Sequence, residues 1–208
     1  NPVPAEVQPP PAPHPDDFPA GGQEWLDRIR LARQVSRYRC KRNELWGDTM
    51  KIEQIHHVAY RCKDAKETVD FYTRMLNMDF VLAIAEDHVP STHEPDPYMH
   101  LFLDAGNGNV LAFFELPTKP EMGRDPNTPR WVQHIAFKVK DRATLLQFKA
   151  HLEANGVDVL GVTDHSIFHS IYFFDPNGHR IELACPDPEE EAMLKKLDAV
   201  KWDMLEEW

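Results

Sequence analysis

The pattern of apolar and polar positions changes period several times along this chain, and it does so in the same order twice. Residues 52–62 alternate, with Ile55, His57 and Ala59 on one face and His56, Val58 and Tyr60 on the other, which predicts a strand. A helical period follows. Asp64 is its cap, Glu67 completes a capping box, and Val69, Phe71, Tyr72 and Leu76 form the buried side. Residues 78–83 read as a second strand and 86–97 as a polar loop broken by prolines. Residues 99–103 and 110–116 read as a hairpin about Gly106-Asn107-Gly108. After a proline-rich linker over 117–129, the order repeats. It predicts a strand over 132–139, a helix from Asp141 to a stop at Asn155-Gly156, and a strand over 157–162. A loop over 163–168 then leads to a hairpin, 170–174 with 179–184, about Pro176-Asn177-Gly178. Each half is therefore a β-α-β-β-β module.

The repetition extends to single residues. At an offset of 77, His57 falls on His134, Val58 on Ile135, Ala59 on Ala136, Tyr60 on Phe137, Asp64 on Asp141 and Phe71 on Phe148. Each half also closes on a carboxylate in an apolar strand, Glu115 after Phe113-Phe114 and Glu182 within Ile181-Glu182-Leu183. A carboxylate in such a strand is costly to bury unless it is paired or bound to metal. Two modules facing each other about a pseudo-twofold axis bring equivalent residues to one point. His57, Glu115, His134 and Glu182 are accordingly the expected ligands of one divalent metal, Fe, Ni, Zn or Mn.

The flanks differ in character. Eight prolines in the first nineteen residues rule out helix and sheet there, so 1–22 is expected to be an extended arm or tail. Residues 23–50 carry a helix with Trp25, Ile29 and Ala32 on one face and Arg28, Arg30, Arg33 and Arg37 on the other. The remaining divisions are a first module over 51–117, a linker over 118–130, a second module over 131–186 and a terminal helix over 187–208. That last helix has the stripe Met193, Leu197, Val200, Met204 and Trp208, expected to pack on this protein or on a second copy. Its acidic surface, from Glu189 to Glu207, suits the basic face of the first helix, and the two are expected to pack together.

Charge and cysteine content narrow the function. With 34 acidic and 23 basic residues the net charge is -11, which opposes general nucleic-acid binding. No run of apolar residues is long enough for a membrane span. Cys40, Cys62 and Cys185 are far apart and odd in number, so they form no disulfide framework. The expectation is a reduced, cytoplasmic protein acting on a small molecule.

The Asp-capped helix ending in Phe71-Tyr72, the Asp175-Pro176-Asn177-Gly178 turn and the terminal Glu182 resemble the vicinal oxygen chelate superfamily over about residues 51–186. That group includes glyoxalase I, extradiol ring-cleaving dioxygenases and the fosfomycin and bleomycin resistance proteins. The resemblance implies an α+β fold, two βαβββ modules curling into an open cup-shaped barrel around a metal, with the terminal helices added outside. It also implies a homodimer, since glyoxalase I relatives often build the cup across two chains, and the 18 residues between Glu115 and His134 permit that.

Two chemistries compete within the resemblance, and a non-catalytic binding protein is a third possibility. Glyoxalase I has a ligand set matched by all four candidates, and Arg61 matches its glutathione-binding arginine. The asparagine expected four residues after Glu115 is Lys119 here, which puts glutathione in doubt. In this favoured reading the metal is a Lewis acid, and Glu115 or Glu182 moves a proton on an enediolate. An extradiol dioxygenase would use His57, His134 and Glu182 with Fe(II). Tyr172 matches the active-site tyrosine of that class, and His165 and His169 are candidate acid–base histidines. The obstacle is Glu115, since a fourth protein ligand leaves no position for oxygen once a catecholate binds.

Overall fold

A computed structural model describes residues 52–208. Its element order is β1 (Val58–Cys62), α1 (Ala65–Leu76), β2 (Asp79–His88), β3 (Pro95–Asp104) and β4 (Val110–Glu115), and then a second round. That round is β5 (His134–Lys138), α2 (Arg142–Ala154), β6 (Leu160–Asp164), β7 (Phe168–Phe174) and β8 (Arg180–Pro186), followed by α3 (Glu190–Glu207). The expected arm and first helix lie outside the described residues, and so does the expected pairing of that helix with α3. Contacts divide the chain so that both modules fall in one compact unit, while the described residues from Lys196 onward belong to another.

The helix boundaries follow the sequence signals. Asp64 Oδ1 accepts from Glu67 N at 2.8 Å, and Asp141 Oδ1 accepts from Thr144 N at 2.8 Å, each satisfying an amide that has no intrahelical acceptor. α1 ends on Asn77 in the left-handed region. Beyond the helices the expectation for 86–97 needs correcting: β2 continues to His88 and β3 starts at Pro95, so the loop is confined to 89–94. Pairing of β3 with β4 begins only at Met99. Up to Tyr98 the strand has β2 as its one neighbour among the described residues, which suits prolines 95 and 97, since each lacks an amide to donate.

Each module makes a four-stranded sheet, in the orders β1-β4-β3-β2 and β5-β8-β7-β6, with the first strand parallel to the last. The fold is thus mixed α+β, with two open sheets. One face of each sheet packs on the helices in a shared core. Leu101, Leu103, Leu111 and Phe113 come from the first sheet, and Ile171, Phe173, Ile181 and Leu183 from the second. Polar groups stitch the modules together. Tyr72 donates from its hydroxyl to Asp175 Oδ2 at 3.1 Å, and Asn177 donates to Thr68 Oγ1 at 3.1 Å. Asp175 itself is satisfied by Asn177 N and His179 N, which shapes the 175–178 turn. α3 buries no residue, and Trp208 is fully exposed.

Candidate functional site

The faces opposite the shared core carry most of the candidate residues. In the second sheet His134 stands beside Arg180, and Ala136 beside Glu182, in parallel register. His134 Nε2 lies 3.0 Å from Glu182 Oε2. The other imidazole nitrogen, Nδ1, is 2.9 Å from the carbonyl of Val132, which can only accept, so Nδ1 carries a proton, and Nε2 is turned towards the carboxylate. A histidine held by a backbone carbonyl in this way is oriented as metal-ligating histidines are. Glu182 is 3 % exposed, and Ser170 Oγ donates to its Oε1, which leaves Oε2 facing His134. Two side chains of the kinds that bind metals are therefore aligned and supported.

Tyr172 belongs to the same face. Its ring is 6.1 Å from that of His134, and its hydroxyl is 2.8 Å from His165 Nε2. Burial, and then the Glu182 carboxylate, hold its phenol above the ordinary value, so it stays protonated and can donate. His169 takes the opposite face of β7, between Asp164 at 3.8 Å and Asp187 at 3.7 Å. The expectation that His169 acts at the site is corrected, because successive strand residues alternate sides and Ser170 and Tyr172 have taken the site face. His165 is the histidine that reaches Tyr172.

Glu115 is corrected for the same reason. Val58 pairs with Leu111 and Ala59 with Ala112, whereas Ile135 pairs with Ile181 and Ala136 with Glu182. The residue standing where Glu182 stands is thus Ala112. Glu115 pairs with Cys62 at the counterpart of Cys185, three residues out of register and on the core face of the sheet. Its Oε2 accepts from Ala65 N at 2.6 Å, at the start of α1. Because the two hairpins differ in length, matching the strand-end glutamates by sequence did not match their pleats.

His57 lies on the site face of the first sheet, as its alternation predicts. Its Nδ1 is 2.8 Å from His56 Nδ1, and its ring is 6.3 Å from Phe102 and 6.5 Å from His100. His100 was not foreseen. It stacks on Phe114 at 3.6 Å, its Nε2 is buried without a partner, and burial lowers its pKa. A histidine alternating with Phe102 along β3 was the available signal. Arg61 shares the face of His57 and donates to the Pro120 carbonyl. Among the described residues of one chain, no three His, Cys, Asp or Glu side chains come together as a metal site. His57 does not meet the His134–Glu182 pair.

The family model of the Glyoxalase/Bleomycin resistance protein/Dioxygenase superfamily matches residues 54–183. The chain belongs to this superfamily. Its members differ in chemistry, and the relatives show it. MhqA of Bacillus subtilis, assigned as a ring-cleaving dioxygenase, is 28 % identical over 142 residues, which is 66 % of this chain and 42 % of MhqA. This chain thus spans less than half the length of that relative. The metallothiol transferase FosB of Staphylococcus epidermidis is 25 % identical over 142 residues, 64 % of this chain and 82 % of FosB. Among solved structures, the fosfomycin resistance protein FosX of Listeria monocytogenes aligns with a TM-score of 0.50 at 21 % identity. It covers 68 % of this chain and 98 % of that one, and the likeness is one of fold. No described helix is long and apolar enough to cross a membrane.

Proposed function

We propose that this superfamily member is an iron-dependent ring-cleaving dioxygenase for a substrate with two adjacent hydroxyl groups, with His57, His134 and Glu182 as the metal's protein ligands. The observation that carries the reading is Ala112 at the counterpart of Glu182 while Glu115 bonds the start of α1. Without Glu115 the donor set is two imidazoles and one carboxylate, the set that leaves three positions open. That removes the obstacle to binding a chelating diol and oxygen together. The four-ligand isomerase reading loses its fourth ligand by the same fact. The likeness to MhqA adds support over 66 % of the chain.

The preformed pair suits a divalent metal: His134 has one nitrogen fixed by Val132 and the other against Glu182, whose second oxygen is held by Ser170. When bound, iron would supply the point at which diol and oxygen are held together, and both oxygen atoms enter the product without an external reductant. The chain's part is to bind, orient and move protons. Tyr172 presents a protonated hydroxyl beside His134, backed by His165, so a proton can pass between substrate and His165 through it.

The third donor requires a second copy. Both site faces lie opposite one shared core, so His57 and the His134–Glu182 pair of one chain look away from that core separately. On the face with His57, Leu82 and Ile84 pair with Phe102 and His100, and they are 45 % and 41 % exposed. That apolar surface suits burial against the second sheet of another chain. We infer a homodimer with two shared sites. The test is iron content and oxygen uptake with catechol for wild type, His57→Ala, His134→Ala and a refolded mixture of the two variants. Each variant alone should lose most of its iron, and the mixture should regain about a quarter of the wild-type level, because random pairing makes about half of the dimers mixed and each of those unites intact residues at one of its two sites. Full iron in His134→Ala sinks the site, uptake-free turnover sinks the dioxygenase, and no recovery in the mixture sinks the shared arrangement.

A further inference from the structure

One cavity concentrates positive charge in a chain whose net charge is -11. It has a volume of about 630 Å³ and opens beside His134, between the end of β1, the linker before β5 and the β7–β8 turn. Lys63, Arg124, Arg130 and Arg180 line it, and Asp125 is the one carboxylate among the described residues that do. Asp125 is already engaged, accepting from Asn127 N at 2.9 Å and from the Thr128 hydroxyl. None of the four cations forms an ion pair in the described structure. Lys63 and Arg124 donate to the backbone carbonyls of Pro176 and Thr128, which neutralise no charge.

Two of the cations are held in place by aromatic rings. The Arg180 guanidinium lies 4.2 Å from the Tyr172 ring centre, and that of Arg130 lies 4.7 Å from the ring centre of Phe174. Stacking on a ring leaves the planar edge of a guanidinium free for two parallel hydrogen bonds, the geometry that carboxylates and phosphonates accept. Tyr172 and Phe174 alternate along β7 on the face that carries Glu182, so the stacked guanidiniums border the candidate metal centre. Solvated surface arginines would need no ring at their backs and would find carboxylates readily in so acidic a chain. The volume falls in the range of small-molecule sites.

We propose that this cavity binds an anionic group of the substrate, a carboxylate or phosphonate on the ring that is cleaved, with Arg130 and Arg180 as its principal contacts. The inference rests on the reading of His134 and Glu182 as metal ligands for its orientation, though not for the binding of the anion itself. A substrate held at one end by this cavity presents its opposite end to His134, which lines both. Cation-lined walls also raise the local concentration of anions, an effect that salt weakens.

The test is calorimetric titration of the full chain, first stripped of metal by chelator and then iron-loaded without oxygen, with benzoate, phenylphosphonate and neutral benzyl alcohol. The expected result is that an acid binds the metal-stripped wild type at least about tenfold more tightly than benzyl alcohol. The tighter of the two acids identifies the group. Arg130→Gln with Arg180→Gln should remove that tenfold preference and leave binding of the alcohol unchanged. Should the double variant fail to fold, Lys63→Gln with Arg124→Gln should reduce the same preference. Equal binding of acids and alcohol by wild type, or an undiminished preference in folded variants, overturns the proposal. Failure of wild type to hold iron while the acid preference persists would instead overturn the dioxygenase reading and leave the anion cavity standing.

Discussion

Replacing Glu115 by Gln separates two roles for that residue. At a metal centre the change would remove a charged ligand, and iron content would fall steeply. At the position observed, Oε2 accepts from Ala65 N at 2.6 Å, at the first turn of α1. The amide of Gln retains an acceptor oxygen of the same reach, so the amide of Ala65 is not orphaned. What is lost is the difference between a charged and a neutral acceptor. Hydrogen bonds to charged groups contribute about 1.5–3 kcal/mol and neutral ones about 0.5–1.5. A negative charge at a helix start adds roughly 0.3–1 kcal/mol. Glu115 is half-buried, so the net cost should be about 1 kcal/mol, which for a chain of this size lowers the melting temperature by about 2–4 °C. The assay is iron stoichiometry of Glu115→Gln beside Glu182→Gln, with thermal melts of both. Iron should stay at the wild-type level in the first and fall severalfold in the second. Loss of iron in Glu115→Gln equal to that in Glu182→Gln would refute the register argument and restore the four-ligand centre.

Tyr72→Phe removes the buried hydroxyl that reaches Asp175 across the modules, and it should cost about 1.5–3 kcal/mol in urea unfolding. In the wild type, burial holds the Tyr72 phenol well above its ordinary value of 10.0, so the unfolded chain gives up that proton first. Stability should therefore be intact below pH 10 and decline above it, and Tyr72→Phe should flatten the decline. Burial likewise pushes the Cys62 thiol up to about 11, with 1 % of the residue exposed. Cys62 and the buried Cys185 should resist thiol reagents in the native protein at pH 8 and react once it is unfolded, as peptide mapping of the labelled chain would show.

Much of this protein is legible in its sequence, because the deciding interactions are local. Asp64 and Asp141 find their amides within three residues, so the caps and the helices they start follow from neighbours in the chain. The alternation through His57 and His134 assigns both to one kind of face, since a strand's sides repeat every two residues whatever it pairs with. The superfamily follows from the resemblance carried by the Asp-capped helix, the 175–178 turn and Glu182, and the family match bears it out, while the α+β class that the resemblance implies is the one observed. What is not local could not be read. Whether Glu115 or Ala112 is the counterpart of Glu182 depends on which residues of β1 and β4 exchange hydrogen bonds, and those strands are separated by a helix and a hairpin of unequal length in the two modules. A slip of three residues is an odd number, and it turns a carboxylate from the site face to the core face. The same parity takes His169 out of the site and brings His165 to Tyr172 from the loop before β7. The sharing of one core by both modules is also a tertiary fact. It sets the face of His57 and the face of the His134–Glu182 pair apart, because apolar area is buried most fully when the helix-bearing sides meet.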